Sequence, residues 1–161
     1  MDITYRRAVL SDVELLAHRR VELIDEDSGL DENEKKSLYE NNRDFMLDAM
    51  LNHSYCAFLA FDGADFVGTC SVCLYATLPG KKLPNGKDAY IQNMYVLPAY
   101  RRRGIGKMLV SMAVGEALRR GHARVTLHAT DAGMALFSQC GFQSGEDIGL
   151  SEMVYAPDDG K

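Results

Sequence analysis

The stretch YVLPAYRRRGIGKMLV, residues 95 to 110, gathers the residue types that hold a phosphorylated ligand. A proline ends an apolar, strand-like run, three arginines follow, and two glycines one residue apart open an amphipathic helix. Glycine in the first turn of a helix removes Cβ atoms where a ligand must approach the main chain, and the N–H groups there have no intrahelical partner. Those donors and the positive end of the helix dipole make an anion site around Gly104, Ile105 and Gly106, to which Arg101, Arg102, Arg103 and Lys107 add charge. A pyrophosphate is the natural occupant. The pattern is not a Walker P-loop, which places four residues between its glycines and then Lys with Ser or Thr, and it lacks the third glycine of a dinucleotide fingerprint. Both nucleotide-binding readings are weakened.

The cysteines offer less. Cys70 and Cys73 form a CxxC, but no second ligand pair at matching spacing follows, so no zinc or other metal is expected and both read as small buried hydrophobes. Cys140 has no base beside it in sequence and reads as a structural thiol.

The elements that must position the glycine turn follow from periodicity. Residues 3 to 9 read as a strand, and Ser11 with Glu14 as a capping box opening a helix to about Asp25, with Val13, Leu16, Ala17, Val21 and Ile24 on one face. Glu22 to Glu34 carries seven acidic residues and no basic one, which reads as an acidic inter-helix loop. A second helix from Asp31, with Glu34 three residues on, turns Leu38, Phe45, Met46 and Ala49 inward. YCAFLAF and FVGTCSVCLYATL make a hairpin about Asp62 and Gly63, and AYIQNMYVL a third antiparallel strand after a polar loop. A helix from Gly104 to Arg120 buries Ile105, Met108, Leu109, Met112 and Ala113; residues 124 to 129 then form a strand parallel to the third. A short helix from Gly133 to Cys140 and a last strand, SEMVYA, complete the chain.

With 161 residues, 47% of them apolar, the chain can build a core as one domain spanning 1–161 without disulfides or metals. Its 23 acidic against 18 basic residues, net charge -5, argue against a general nucleic-acid role. No apolar run reaches the roughly 18 to 20 residues of a membrane span, and MDITYRRAV lacks a signal-peptide core. The expectation is a soluble cytoplasmic protein with no membrane partner.

The glycine turn resembles the acetyl-CoA signature of the GCN5-related N-acetyltransferase (GNAT) superfamily: Arg or Gln, two residues, Gly, one residue, then Gly or Ala, met by Arg101, Gly104 and Gly106. The wider VxPxYRxxGIG pattern fits from Val96 to Gly106, with Arg102 where Gly is frequent, a departure expected to cost little if only its amide is used. A second segment, HATDAGMALFSQCGF at residues 128 to 142, resembles the family's helix ending in LYxxxGF. The resemblance implies an α/β (α+β) three-layer fold with a mixed, mostly antiparallel sheet of about six to seven strands flanked by about four helices. It also implies an acetyl-CoA-dependent N-acetyltransferase working by direct transfer in a ternary complex.

Residue by residue, the resemblance gives main-chain contacts to the pantetheine arm and carbonyl oxygen to Met94, Tyr95 and Val96, and a pantetheine contact to Thr130. Phe137 stands where the family's usual acid is tyrosine, so Tyr90 or Tyr95 serves instead, the thiol leaves unprotonated, or activity is lost. His128 is the first candidate for base, against a plain hydrogen-bonded neighbour; Asp88, Gln92, Asn93 and Asp131 are the alternatives, through a water. The acidic segment would draw a cationic small-molecule or peptide amine, or is merely solvated. A homodimer is allowed. The rival to the enzyme is a non-catalytic acyl-CoA-binding regulatory domain.

Overall fold

Branched and aromatic residues over YCAFLAFD and DFVGTCSVCLYA zip into a hairpin, β2 (Tyr55–Asp62) and β3 (Asp65–Ala76), and KDAYIQNMYV adds β4 (Lys87–Val96) beside it. The computed structural model describes residues 1–155 and divides into two compact units, Met1–His128 and the segment from Ala129 onward. In the first unit, β1 (Ile3–Arg7) leads through a 3-10 turn to α1 (Val13–Ser28) and α2 (Glu32–Leu51), ahead of the hairpin. After β4 come α3 (Ile105–Arg119) and β5 (Arg124–Thr126). The sheet order is β1-β2-β3-β4-β5, antiparallel except for the β4–β5 pair, which is parallel because α3 crosses over between them. The second unit holds α4 (Asp131–Gln139) and a 3-10 turn, Glu146–Ile148.

The period of two along β2 serves both faces of the sheet. Tyr55, Ala57 and Leu59 join Val13, Leu16 and Ala17 of α1 and Met46 and Ala49 of α2 in one buried cluster. The opposite face receives α3, which buries Ile105, Leu109, Val110, Ala113 and Ala117. Gly68 makes that approach possible: a Cβ there would stand 2.9 Å from the Tyr95 carbonyl oxygen and 3.2 Å from both Leu109 Cδ1 and Val96 Cγ2. The start of α3 is thereby pressed against the end of β4.

The elements appear in the expected order, with corrections. Among the described residues the sheet has five strands, not six or seven: β5 stops at Thr126, and residues 151–155 carry no strand, Ala156 lying outside the described residues. The box at Ser11 and Glu14 does not form, because Asp12 takes that place, accepting from Val9 N (2.8 Å) and from both terminal nitrogens of Arg6 (2.7 and 2.8 Å). α1 runs on to Ser28, so most of the acidic residues are helical and the inter-helix loop shrinks to residues 29–31. Phe45 and Met108, expected inside, are 51% and 47% exposed; each lies at the margin of its helix's apolar face. α4 begins at Asp131, two residues early, because Thr130 caps it.

Candidate active site

After β4, the Leu97 N–H donates to the Val67 carbonyl (2.9 Å), and Arg101 bends back so that its Nε donates to the Val96 carbonyl (2.9 Å) with its guanidinium 5.8 Å from the Tyr95 ring centroid. Tyr100 donates to Asp62 Oδ2 (3.1 Å), and the Arg103 guanidinium lies 5.7 Å from the Tyr100 ring centroid. The chain then enters α3 through Gly104 in the left-handed region (φ +81), with no side-chain cap and no acidic residue in the first turn. Among the described residues nothing lies within 4 Å of where a Gly104 Cβ would be, so glycine is favoured there by conformation and not by crowding. Among the described residues no carboxylate pairs with Arg101, Arg102, Arg103 or Lys107, whereas Arg6, Arg7, Arg19, Lys35, Arg43, Arg119 and Arg124 are all paired. Arg102 corrects an expectation: its φ is +63, so the residue standing where glycine is frequent carries about 1 kcal/mol of left-handed strain.

β4 is irregular in the middle of its ladder to β3. Thr69 faces Tyr95 and Ser71 faces Gln92, so Asn93 and Met94 together oppose the single Cys70 in a β-bulge. Asn93 takes φ +54, which asparagine tolerates better than most residues. It is buried, and its Nδ2 has no hydrogen-bond partner among the described residues, a state that costs about 1–3 kcal/mol. Along its other edge β4 pairs with β5 only at Asp88, Ala89 and Tyr90. Main-chain groups of residues 91–96 pointing away from β3 therefore have no strand partner among the described residues.

At the last paired position, the Tyr90 phenol and His128 Nδ1 are hydrogen-bonded and their rings meet edge to face, 5.3 Å between centroids. His128 is exposed and Tyr90 half-buried. Beside them Asp88, 2% exposed, accepts from Arg124 Nε (3.1 Å) and NH2 (2.5 Å) and from the Ala89 N–H (3.0 Å), while His122 Nδ1 donates to the Asp88 carbonyl (2.8 Å). Asp88 is thus engaged in clamping β4 to β5. Burial, and next the charge of Asp88, pushes the Tyr75 phenol up. Burial, followed by the charge of Glu26, does the same to Tyr95, which makes it a weaker proton donor than a free tyrosine.

In the second unit, the Thr130 hydroxyl oxygen accepts from the Gly133 N–H (3.3 Å), leaving its own proton to donate. Phe137 packs against Phe142 (5.9 Å between centroids) and over Gly133, as a structural side chain of α4. Of the positions singled out in the sequence, the structure joins Tyr90 and His128 by a hydrogen bond. The Asp88–Arg124 clamp and the bulge were not anticipated. An aspartate and an arginine at the starts of two strand-like runs were the available signal for the first; nothing local marked the second.

Residues 19–142 match the profile of the Acetyltransferase (GNAT) family. Among solved structures, a GCN5-related N-acetyltransferase from Ralstonia eutropha JMP134 is 27% identical with a TM-score of 0.82, over 97% of this chain and 99% of that one. A predicted acetyltransferase from Clostridium acetobutylicum, with acetyl-CoA, is 25% identical with a TM-score of 0.80, over 95% and 96%. Glucosamine-6-phosphate N-acetyltransferase from Arabidopsis thaliana, 16% identical with a TM-score of 0.70 over 99% and 100%, shares the fold. No curated protein matches the chain by sequence. No helix among the described residues is long and apolar enough to cross a membrane.

Proposed function

The chain belongs to the GNAT acetyltransferase family, and from that premise we propose that it is an acetyl-CoA-dependent N-acetyltransferase passing acetyl directly to an amine within a ternary complex. Family and fold already support acyl-CoA-dependent acetyl transfer in general. The observation that carries the finer reading is an open, cationic helix start directly after a strand whose far edge is unpaired.

The residues present fit the co-substrate. Free amides in the first turn of α3, with Arg102, Arg103 and Lys107, would hold its diphosphate, and Arg101 fixes the turn through the Val96 carbonyl. The unpaired edge at Met94, Tyr95 and Val96 would take the amide-bearing arm as a further strand. Bound there, acetyl-CoA supplies a thioester, an acyl group already activated toward amines, with a thiol as leaving group. The hydrogen-bonded pair His128 and Tyr90 would move the protons, His128 taking one from the amine and Tyr90 giving one to the departing thiolate. That arrangement would replace the acid that Phe137 does not supply. The carboxylates at the end of α1 and the start of α2, Glu22 and Glu26 among them, favour a cationic acceptor.

A thiol-release assay with acetyl-CoA and a panel of polyamines, aminoglycosides, amino acids and peptides tests this. Release that depends on one class of amine supports the enzyme. Tight acetyl-CoA binding without release to any amine supports the second reading, a non-catalytic acyl-CoA-binding domain, which the packing role of Phe137 favours.

A further inference from the structure

Strand β5 is placed by polar contacts. Arg124, Val125 and Thr126 are only half-buried, and among the described residues no strand lies beyond them. The parallel ladder to β4 spans Asp88, Ala89 and Tyr90 against these three residues. A strand with no buried apolar residue has a weakly determined register, because sliding it along its partner sacrifices little burial. Two of its contacts do not choose a register either. The Thr126 hydroxyl donates to the Ala89 carbonyl (3.3 Å) and His122 Nδ1 to the Asp88 carbonyl (2.8 Å), and every residue of β4 offers a carbonyl.

The Asp88 side chain does choose. It is 2% exposed; Oδ2 accepts from Arg124 Nε (3.1 Å) and NH2 (2.5 Å), and Oδ1 from the Ala89 N–H (3.0 Å). Sliding β5 by two residues, the smallest slip that keeps the same side chains on this face, would set His122 or Thr126 opposite Asp88 and leave a buried carboxylate without its guanidinium. An apolar pair would hold the strands as well or better, but would not select one register. That selection reaches the proposed acid–base pair. Tyr90 lies two residues past Asp88 on the same face of β4, and it meets His128, two residues past the end of β5, by a hydrogen bond and an edge-to-face ring contact, 5.3 Å between centroids. The slip would shift His128 by roughly 6 to 7 Å along Tyr90's strand.

Resting on the acetyl-transfer reading above, we propose that the buried Asp88–Arg124 pair is a register lock that sets Tyr90 against His128, so that Asp88 and Arg124 are positioning residues for the proton transfers.

Asp88→Leu combined with Arg124→Leu replaces the lock by an apolar pair, and Arg124→Lys keeps its charge. In 13C-edited NOE spectra the unaltered chain should show ring-to-ring cross-peaks between Tyr90 and His128; the double variant should lose most of their intensity and Arg124→Lys should retain most of it. The thermal midpoint of the double variant should equal or exceed that of the unaltered chain, and its calorimetric affinity for CoA should stay within about 3-fold. Its kcat should fall roughly 10- to 100-fold at nearly constant amine KM, with Arg124→Lys close to the unaltered chain. Should the double variant not fold, Asp88→Asn, close in shape and still able to accept from the Ala89 N–H, is read by the same measurements with the same direction expected. A folded variant with undiminished Tyr90–His128 cross-peaks overturns the proposal. So does a fall in kcat that only follows lost stability, which would make the pair a structural one. Should the unaltered chain acetylate no amine, the proposed function falls, while the cross-peaks still decide whether the pair sets the register.

Discussion

Helices α2 and α3 begin in opposite ways. At α2, Asp31 Oδ1 accepts from the Glu34 N–H (2.9 Å) and Glu34 Oε2 accepts from the Asp31 N–H (2.9 Å), so the helix closes its own donors and answers its own dipole. At α3, Gly104 offers no side chain, no carboxylate lies in the first turn, and three arginines crowd the entrance. A chain able to cap one helix so completely has left the other open, as the proposed diphosphate site requires. On that proposal the first helix start serves the fold and the second a ligand.

Giving α3 the charge that α2 already has should have the largest effect. Gly104→Asp or Gly106→Asp should lower CoA affinity by about 100-fold or more, roughly 2.7 kcal/mol, in calorimetric titrations; unchanged affinity would erase the distinction between the two helices. Removing the cap where it is internal should act on the fold alone. Asp31→Ala should cost about 1 kcal/mol in denaturant unfolding and leave CoA affinity where it was. Relieving Arg102 of its left-handed strain by Arg102→Gly should raise stability by about 0.5 kcal/mol, the gain being reduced by the greater freedom of glycine in the unfolded chain. The same change should weaken CoA binding modestly at low salt and hardly at high salt, which the salt dependence of the titration would reveal. The smallest effect concerns the start of α1, where hydrogen bonds from Arg6 hold the Asp12 carboxyl below its ordinary range. A depressed carboxylate contributes its stability above the unfolded value of about 4 and loses it as pH falls through the lower folded value. Asp12→Asn should therefore flatten the acid limb of the stability profile, and an unaltered limb would show that Arg6 does not need that charge.

What could be read from residues alone was whatever local spacing encodes. Branched residues marked the meander, apolar periodicity marked α3, and the proline, arginines and glycines marked the turn, because each acts within a few positions of itself. What escaped depends on partners distant in sequence. Asp12 displaced the expected Ser11 cap because Arg6, on a strand, reaches it. Tyr90 and His128 were separate candidates until the parallel β4–β5 register set Tyr90 beside Thr126. The Asn93 bulge leaves no trace in IQNMYV, whose apolar residues stand on both sides of the asparagine, and its φ appears only when Gln92 and Tyr95 are matched to Ser71 and Thr69. The final strand was overread from the residue types of SEMVYA, since β-propensity without a neighbouring strand makes no ladder.

The claim that the α3 start holds a diphosphate is tested most directly at its amides. In 15N-edited NMR spectra titrated with CoA, the N–H signals of residues 103–107 should move together and saturate with the calorimetric affinity, while those of Glu32, Asn33 and Glu34 at the start of α2 stay in place. If CoA binds by calorimetry and the signals of residues 103–107 do not move, the phosphate site lies elsewhere and the account of α3 is wrong.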